Sequence, residues 1–229
     1  MKLAKLNLIA CAALLLATLP LSSCKKENKA PNEANSTSIT GTWTTAKVMG
    51  KDVSSVTKTA ATVSLVTTMV DQLIDSQITE NVEGAKKFAK EAISTSIEFA
   101  QGIKLVLKDG NACNVSFAGL TAGIDGTWKE QDGKIILKLN EVPQATLEQL
   151  KASTGIKEKV NYSFAASISG KELSLTKTDS STIKWELDTQ FLMNAISEAA
   201  SNQKVSLVGE LLGQYLNKAS YSVEFTKAK

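Results

Sequence analysis

Hydrophobic and polar positions follow three different rhythms along this chain. Leu8 to Leu19 is an unbroken apolar run of 12 residues (LIACAALLLATL). From Val63 onward apolar positions recur at helical spacing: Val63, Val66, Val70, Leu73 and Ile74, then, after Glu80-Asn81, Val82, Ala85, Phe88, Ala89, Ala92, Ile93, Ile97 and Ala100. This predicts two amphipathic helices of about 20 residues each, a helical hairpin inserted over residues 55–102. Its polar faces carry Asp71, Asp75, Lys86, Lys87 and Lys90. Elsewhere the period is two. Ser38 to Met49 reads as a first strand, rich in Thr. Ile103 to Leu107 and Ala112 to Phe117 flank the turn cluster Lys108-Asp109-Gly110-Asn111. Thr127 to Gln131 and Lys134 to Asn140 flank Asp132-Gly133, a favoured hairpin turn. Lys159 to Ser169 and Lys171 to Lys177 are predicted as a third hairpin over Gly170, followed by a strand at Thr182 to Leu187.

The remaining segments are helical except the last. Pro143 to Lys151 reads as a short helix with proline near its first turn. Phe191 to Ala199 and Val205 to Leu216 predict two C-terminal helices within residues 189–218, the second weakened by Gly209 and Gly213. A closing strand follows at 219–227. The predicted fold class is therefore α+β and β-rich: an antiparallel barrel of about 8–9 strands with an inserted helical hairpin and C-terminal helices.

The first apolar run is too short to span a bilayer, which needs about 20 apolar residues. With Lys2 and Lys5 ahead of it, it fits a signal peptide over residues 1–23. Leu21-Ser22-Ser23-Cys24 resembles the lipobox of bacterial lipoproteins: a branched aliphatic, two small residues, then the cysteine whose thiol takes the lipid. That resemblance implies lipidation at Cys24 and anchoring to a membrane surface by acyl chains. Residues 24–37 then read as the lipidated cysteine and a polar tether (KKENKAPNEANST) without apolar periodicity. Residues 38–229 read as a single domain.

Composition removes whole classes of chemistry. The chain has no His and no Arg, and Cys113 is the one cysteine beyond Cys24. Without imidazole there is no Ser-His or Cys-His pair and no His-ligated metal. One cysteine makes neither an internal disulfide nor a structural zinc site. Without guanidinium there is no bidentate clamp on carboxylate or phosphate. The net charge of +3 is no basic footprint for nucleic acid. No cofactor, metal or catalytic residue is expected, and the chain is read as a non-enzyme.

One motif recurs. Ile39-Thr40-Gly41-Thr42-Trp43 is echoed by Ile124-Asp125-Gly126-Thr127-Trp128. On these two Gly-Thr-Trp strands, and the Asp-Gly-Lys hairpin after the second, the chain resembles the lipocalin-like lipoproteins of Bacteroidetes envelopes. The resemblance covers the strands and not the helices. It implies a barrel floor built on Gly41, Trp43, Gly126 and Trp128, each indole plugging an open end or touching a ligand. In true lipocalins a late-strand arginine packs over the first Trp. Here that cover must come from a lysine stem or from apolar packing.

Smaller signals carry less. Ser-x-x-Lys occurs at Ser55, Ser174, Ser181 and Ser201, but the partner elements of serine acyltransferases are missing, and chance explains it. Cys113 is in phase with Val115 and Phe117 and reads as a buried small hydrophobe. Asp71 and Asp75, one turn apart, read as a solvated face.

The expected role is a lipid-anchored protein of the cell envelope, held to the outer membrane on either leaflet and binding a small apolar or amphipathic ligand in its barrel without catalysis. The alternative is a solid-cored structural or interaction module that meets an envelope protein through its helices. A carboxylate-dependent hydrolase is the third reading.

Overall fold

The computed structural model describes residues 38–48, 51–52, 68, 71–72, 74–78, 80–203, 205–216 and 221–228. The predicted signal peptide, Cys24, the tether and most of the first hairpin helix lie outside the described residues, as does the start of the closing strand at 219–220.

Among the described residues nine strands form one antiparallel sheet: β1 (Gly41–Val48), β2 (Lys51–Asp52), β3 (Lys104–Leu107), β4 (Ala112–Phe117), β5 (Leu120–Gln131), β6 (Lys134–Leu139), β7 (Glu172–Lys177), β8 (Thr182–Leu187) and β9 (Tyr221–Lys227). The order is β2-β1-β3-β4-β5-β6-β7-β8-β9, and β1 also pairs with β9. That last pairing closes eight of the strands into a barrel of lipocalin-like form. β3, β4, β6 and β8 alternate buried with more exposed positions, the period-two pattern of a half-buried strand. On β6, Ile135, Leu137 and Leu139 are buried while Lys134 and Lys138 are exposed. The β5–β6 turn is held by Asp132 at φ +53° and Gly133 at φ +71°, both left-handed as a two-residue hairpin of matching twist requires.

Five complete helices are described: α1 (Val82–Gln101), α2 (Gln144–Lys151), α3 (Ile156–Ile168), α4 (Gln190–Asn202) and α5 (Ser206–Leu216). Before α1, every described residue from 68 to 77 is helical. Asp71 and Asp75 of that segment meet Lys90 and Lys86 of α1 at 3.3 and 2.8 Å. The crossed numbering is that of an antiparallel hairpin turning at Glu80-Asn81. The exposed pairs fix register more than they stabilise, at roughly 0–1 kcal/mol each. The predicted stripe on α1 is buried at Ala85, Phe88, Ala89, Ala92 and Ala100.

One predicted element was wrong. Lys159 to Ser169 is not a strand but most of α3, so the partner of β7 is β6 rather than a strand just before it. Val160, Tyr162 and Phe164 do alternate, but Ile156, Val160, Phe164 and Ile168 stand four apart and are all buried. Two periods share the same residues, and the helix wins because it buries every member of the four-apart set.

Strand direction separates the two ends of the barrel. β3, β7 and β9 begin at the end where β6 and β8 finish, so α1, α2–α3 and α4–α5 all gather there, at the mouth. The opposite end, the floor, has the start of β1, the end of β9, and the turns at 108–111, 132–133 and 178–181. Ile39–Lys229 form one compact unit.

Candidate functional site

The floor residues predicted from the repeated motif do come together. Gly41 pairs with Leu107, Leu107 with Cys113, and Cys113 with Gly126. The two glycines therefore occupy one row across four strands. A side chain on Gly126 would collide with the Lys138 carbonyl and come within 2.9 Å of the Leu139 Cα, so its absence lets β5 and β6 approach. On Gly41 (φ +141°) the space is taken by the stem of Lys227, whose Cε lies 2.5 Å from where a Cβ would stand. Lys227 is opposite Trp43 on β9. A late-strand lysine thus lies opposite the first Trp, its stem over Gly41 at the floor.

The two indoles are not equivalent. Trp43 is 1% exposed, while Trp128 is only half-buried. The strands β1 and β5 run in opposite directions. Two residues past the glycine row therefore leads into the barrel on β1 and out to the rim on β5. Each indole N–H donates to a floor carbonyl at 3.0 Å, Trp43 to Ile39 and Trp128 to Lys108. Both are structural pins: one fixes the approach to β1, the other the β3–β4 turn.

Between floor and mouth the barrel is filled. The inward side chains Leu105, Leu107, Val115, Ile135, Leu137, Leu175, Ile183, Val223 and Phe225 are all 0–1% exposed, which leaves no water-sized space beside them. At the mouth, the Phe164 ring of α3 sits among four others. Its centroid is 4.8 Å from Phe99 of α1, 5.1 Å from Phe117 of β4, 5.1 Å from Phe191 of α4 and 5.8 Å from Trp185 of β8. These are edge and tilted geometries that aromatic quadrupoles favour. Misreading α3 as a strand hid this cluster from the sequence. The four-residue spacing of Ile156, Val160, Phe164 and Ile168 was the signal that pointed to it.

No protein-family model matches the chain, and no curated protein or solved structure matches it either. The site has to be read from its own residues. Among the described residues no helix is long and apolar enough to cross a membrane.

The polar groups inside this frame are tied to structural partners. Tyr221, buried on β9, donates its hydroxyl to the Ser96 carbonyl of α1, and burial pushes its pKa well up. The Thr45 hydroxyl, at the bulge of β1, faces the Ala100 and Ile103 carbonyls at 3.0 and 2.9 Å and closes the C-terminal end of α1. Lys159 of α3 is buried, with its Nζ 2.6 Å from the Glu198 carboxylate of α4 and 3.2 Å from the Lys151 carbonyl of α2. Of the Ser-x-x-Lys pairs that are described in full, Lys177 is engaged by Glu130 at 2.8 Å and Ser181 donates to Asp179 at 2.8 Å. Ser55 with Lys58, and Lys204, lie outside the described residues.

Cys113 is buried in the barrel wall at 2% exposure. Burial first, and the Asp125 carboxylate second, push its thiol up to about 11 from 9.0. An unfolded thiol gives up its proton near 9, whereas the folded one keeps it to about 11. The folded state therefore holds more protons in that window, and stability falls as pH rises through it, by up to about 2 kcal/mol. We expect the urea midpoint to drop more between pH 8 and pH 10.5 in the native sequence than in Cys113→Ala. Equal drops would show that the thiol titrates alike in both states.

Proposed function

We propose that this chain is a lipid-anchored, non-catalytic protein of the bacterial cell envelope that works as a solid-cored interaction module. Export and lipidation at Cys24 would hold it to the outer membrane. The barrel is the scaffold and the helices at its mouth are the working face. The observation that carries this reading is the packing of the interior: the nine inward side chains named above are all 0–1% exposed, which favours a barrel filled by its own side chains over one that holds a guest. The first strand starts at the floor, the end opposite the described helices. Support for a non-catalytic role comes from the missing imidazole and guanidinium groups, and from polar side chains already committed to structural bonds.

Two results test this. Cys24→Ala should release the protein from the membrane fraction, and unchanged membrane retention would remove the anchor. A photo-crosslinking side chain at Leu207 or Glu210, both exposed on α5, should give a discrete protein adduct in the native envelope, where one at Thr127 on the barrel wall should not. No adduct from either helical position would end the interaction reading.

A further inference from the structure

Residues 141–169, which carry α2 and α3, leave the sheet and rejoin it at one point. The Leu139 N–H donates to the Lys171 carbonyl at 3.0 Å and the Gly170 N–H to the Asn140 carbonyl at 3.1 Å. The β6–β7 ladder thus runs on into the neck of the excursion. A third bond, from the Val142 N–H to the Ser169 hydroxyl at 2.9 Å, closes the neck again on the helical side. Gly170 stands at φ +67°. Joined directly, Asn140 and Gly170 would form the Asn-Gly turn that two-residue hairpins favour. The strands flanking the neck therefore hold a complete hairpin, and the helical pair is set into its turn.

Beyond the buried apolar face of Ile156, Val160, Ala165 and Ile168, three contacts seat that pair on the mouth. Phe164 fills the ring of Phe99, Phe117, Trp185 and Phe191. Asn161, itself 4% exposed, occupies the space that Gly119 of the β4–β5 turn leaves for want of a side chain. Lys159 reaches Glu198 and the Lys151 carbonyl. The first contact is what a permanent core would use. The third is not. The Lys159 head is buried but the Glu198 side chain is 42% exposed; a pair that reaches solvent contributes only about 0–1 kcal/mol, so it specifies an arrangement more than it holds one. Here the cation is buried on α3 and its carboxylate is on α4, across the line along which the inserted pair would part from the rest of the helical end.

We propose that α2–α3 is an inserted cap that opens as a unit about the Asn140–Gly170 neck while the barrel stays closed, with Lys159–Glu198 as its latch. Opening bares the four aromatic rings around Phe164. The device goes beyond the interaction reading and does not depend on the lipid anchor. Contiguous units that open below the global unfolding free energy are read by native-state hydrogen exchange.

The experiment is hydrogen exchange on the full-length chain in detergent, with and without Glu198→Gln. The amides of α3 should exchange roughly 100-fold faster than those of β5 and β6, as sub-global opening allows. Glu198→Gln should speed α3 further, by roughly tenfold, and leave β5 and β6 unchanged. Exchange of α3 and the strands at one common rate, or an equal effect of Glu198→Gln on both, would overturn the proposal. A second variant removes residues 141–169 and joins Asn140 to Gly170. It should still unfold in one cooperative transition with its strand signature intact. A chain that fails to fold would overturn the claim that the barrel stands without its cap.

Discussion

Trp43→Ala should cost about 3–5 kcal/mol of unfolding free energy, the range for a fully buried large aromatic, while Trp128→Ala should cost only about 1–2 kcal/mol for partial burial and one hydrogen bond. The motifs are the same, Gly-Thr-Trp in both. The difference lies in strand direction. Trp43 is 1% exposed, inside the barrel at the level of Leu105, with which it pairs. Trp128 is half-buried, two residues outward of the glycine row. Urea unfolding of the two variants under one set of conditions decides the point. Equal losses would place the indoles at equal depth and contradict the register described above. Trp43→Phe should recover much of the loss, because it restores one of the two fused rings and gives up the other with the bond to Ile39.

The second large effect is at Phe164. Removing its ring in Phe164→Ala leaves Phe99, Phe117, Trp185 and Phe191 facing a void, and should cost about 3–5 kcal/mol. Phe164→Leu keeps most of the volume and should cost about 1.5 kcal/mol. Tyr162, two residues away and half-buried, is the control, and Tyr162→Ala should cost under about 1 kcal/mol, as surface changes usually do. If Phe164→Ala and Tyr162→Ala were alike, α3 would not be inserted at the mouth as described. Phe164 is where the helical end and the barrel share one core.

Much of this fold can be read in the residues, and the reasons are local. Asp132-Gly133 announces its hairpin because only a left-handed pair with a glycine suits that turn, and the strands on either side follow from strict alternation. The helix of Val82–Gln101 is legible because its alanines and phenylalanines keep one face for a full 20 residues. Cys113 is legible as a buried hydrophobe from its phase with Val115 and Phe117 alone. The failures have an equally specific cause. At Lys159 to Ser169, Val160, Tyr162 and Phe164 satisfy a period of two and Ile156, Val160, Phe164 and Ile168 a period of four. The choice between them is made by tertiary packing, which a single sequence does not display. β2, two residues long, is too short for any period to announce it.

The candidate site was partly legible for the same reasons. The repeated motif located the floor, and the missing arginine left a lysine stem or apolar packing as the cover of Trp43; Lys227 lies opposite Trp43 with its stem over Gly41. What the motif could not carry was depth. It does not encode which way its strand runs, so it could not say that Trp43 is core and Trp128 rim. It also says nothing of the other end. The floor is closed by pinned turns. The mouth is where three separate helical segments converge, and it is there that Lys159, Asn161 and Phe164 sit, none of which belongs to a recognisable motif. Buried polar residues on an otherwise apolar helix face are visible only once the helix is known.

Eight strands make a barrel just wide enough to be packed by side chains or to hold one small guest, so strand number alone leaves both open. The inward residues described here take the first course.

The most direct test is native mass spectrometry of residues 25–229 purified without lipid, with solvent extraction of whatever accompanies them. A filled barrel predicts the mass of the polypeptide alone and an empty extract. A stoichiometric small molecule released on extraction would contradict the solid core, restore the ligand-carrying reading, and identify the guest by its own mass.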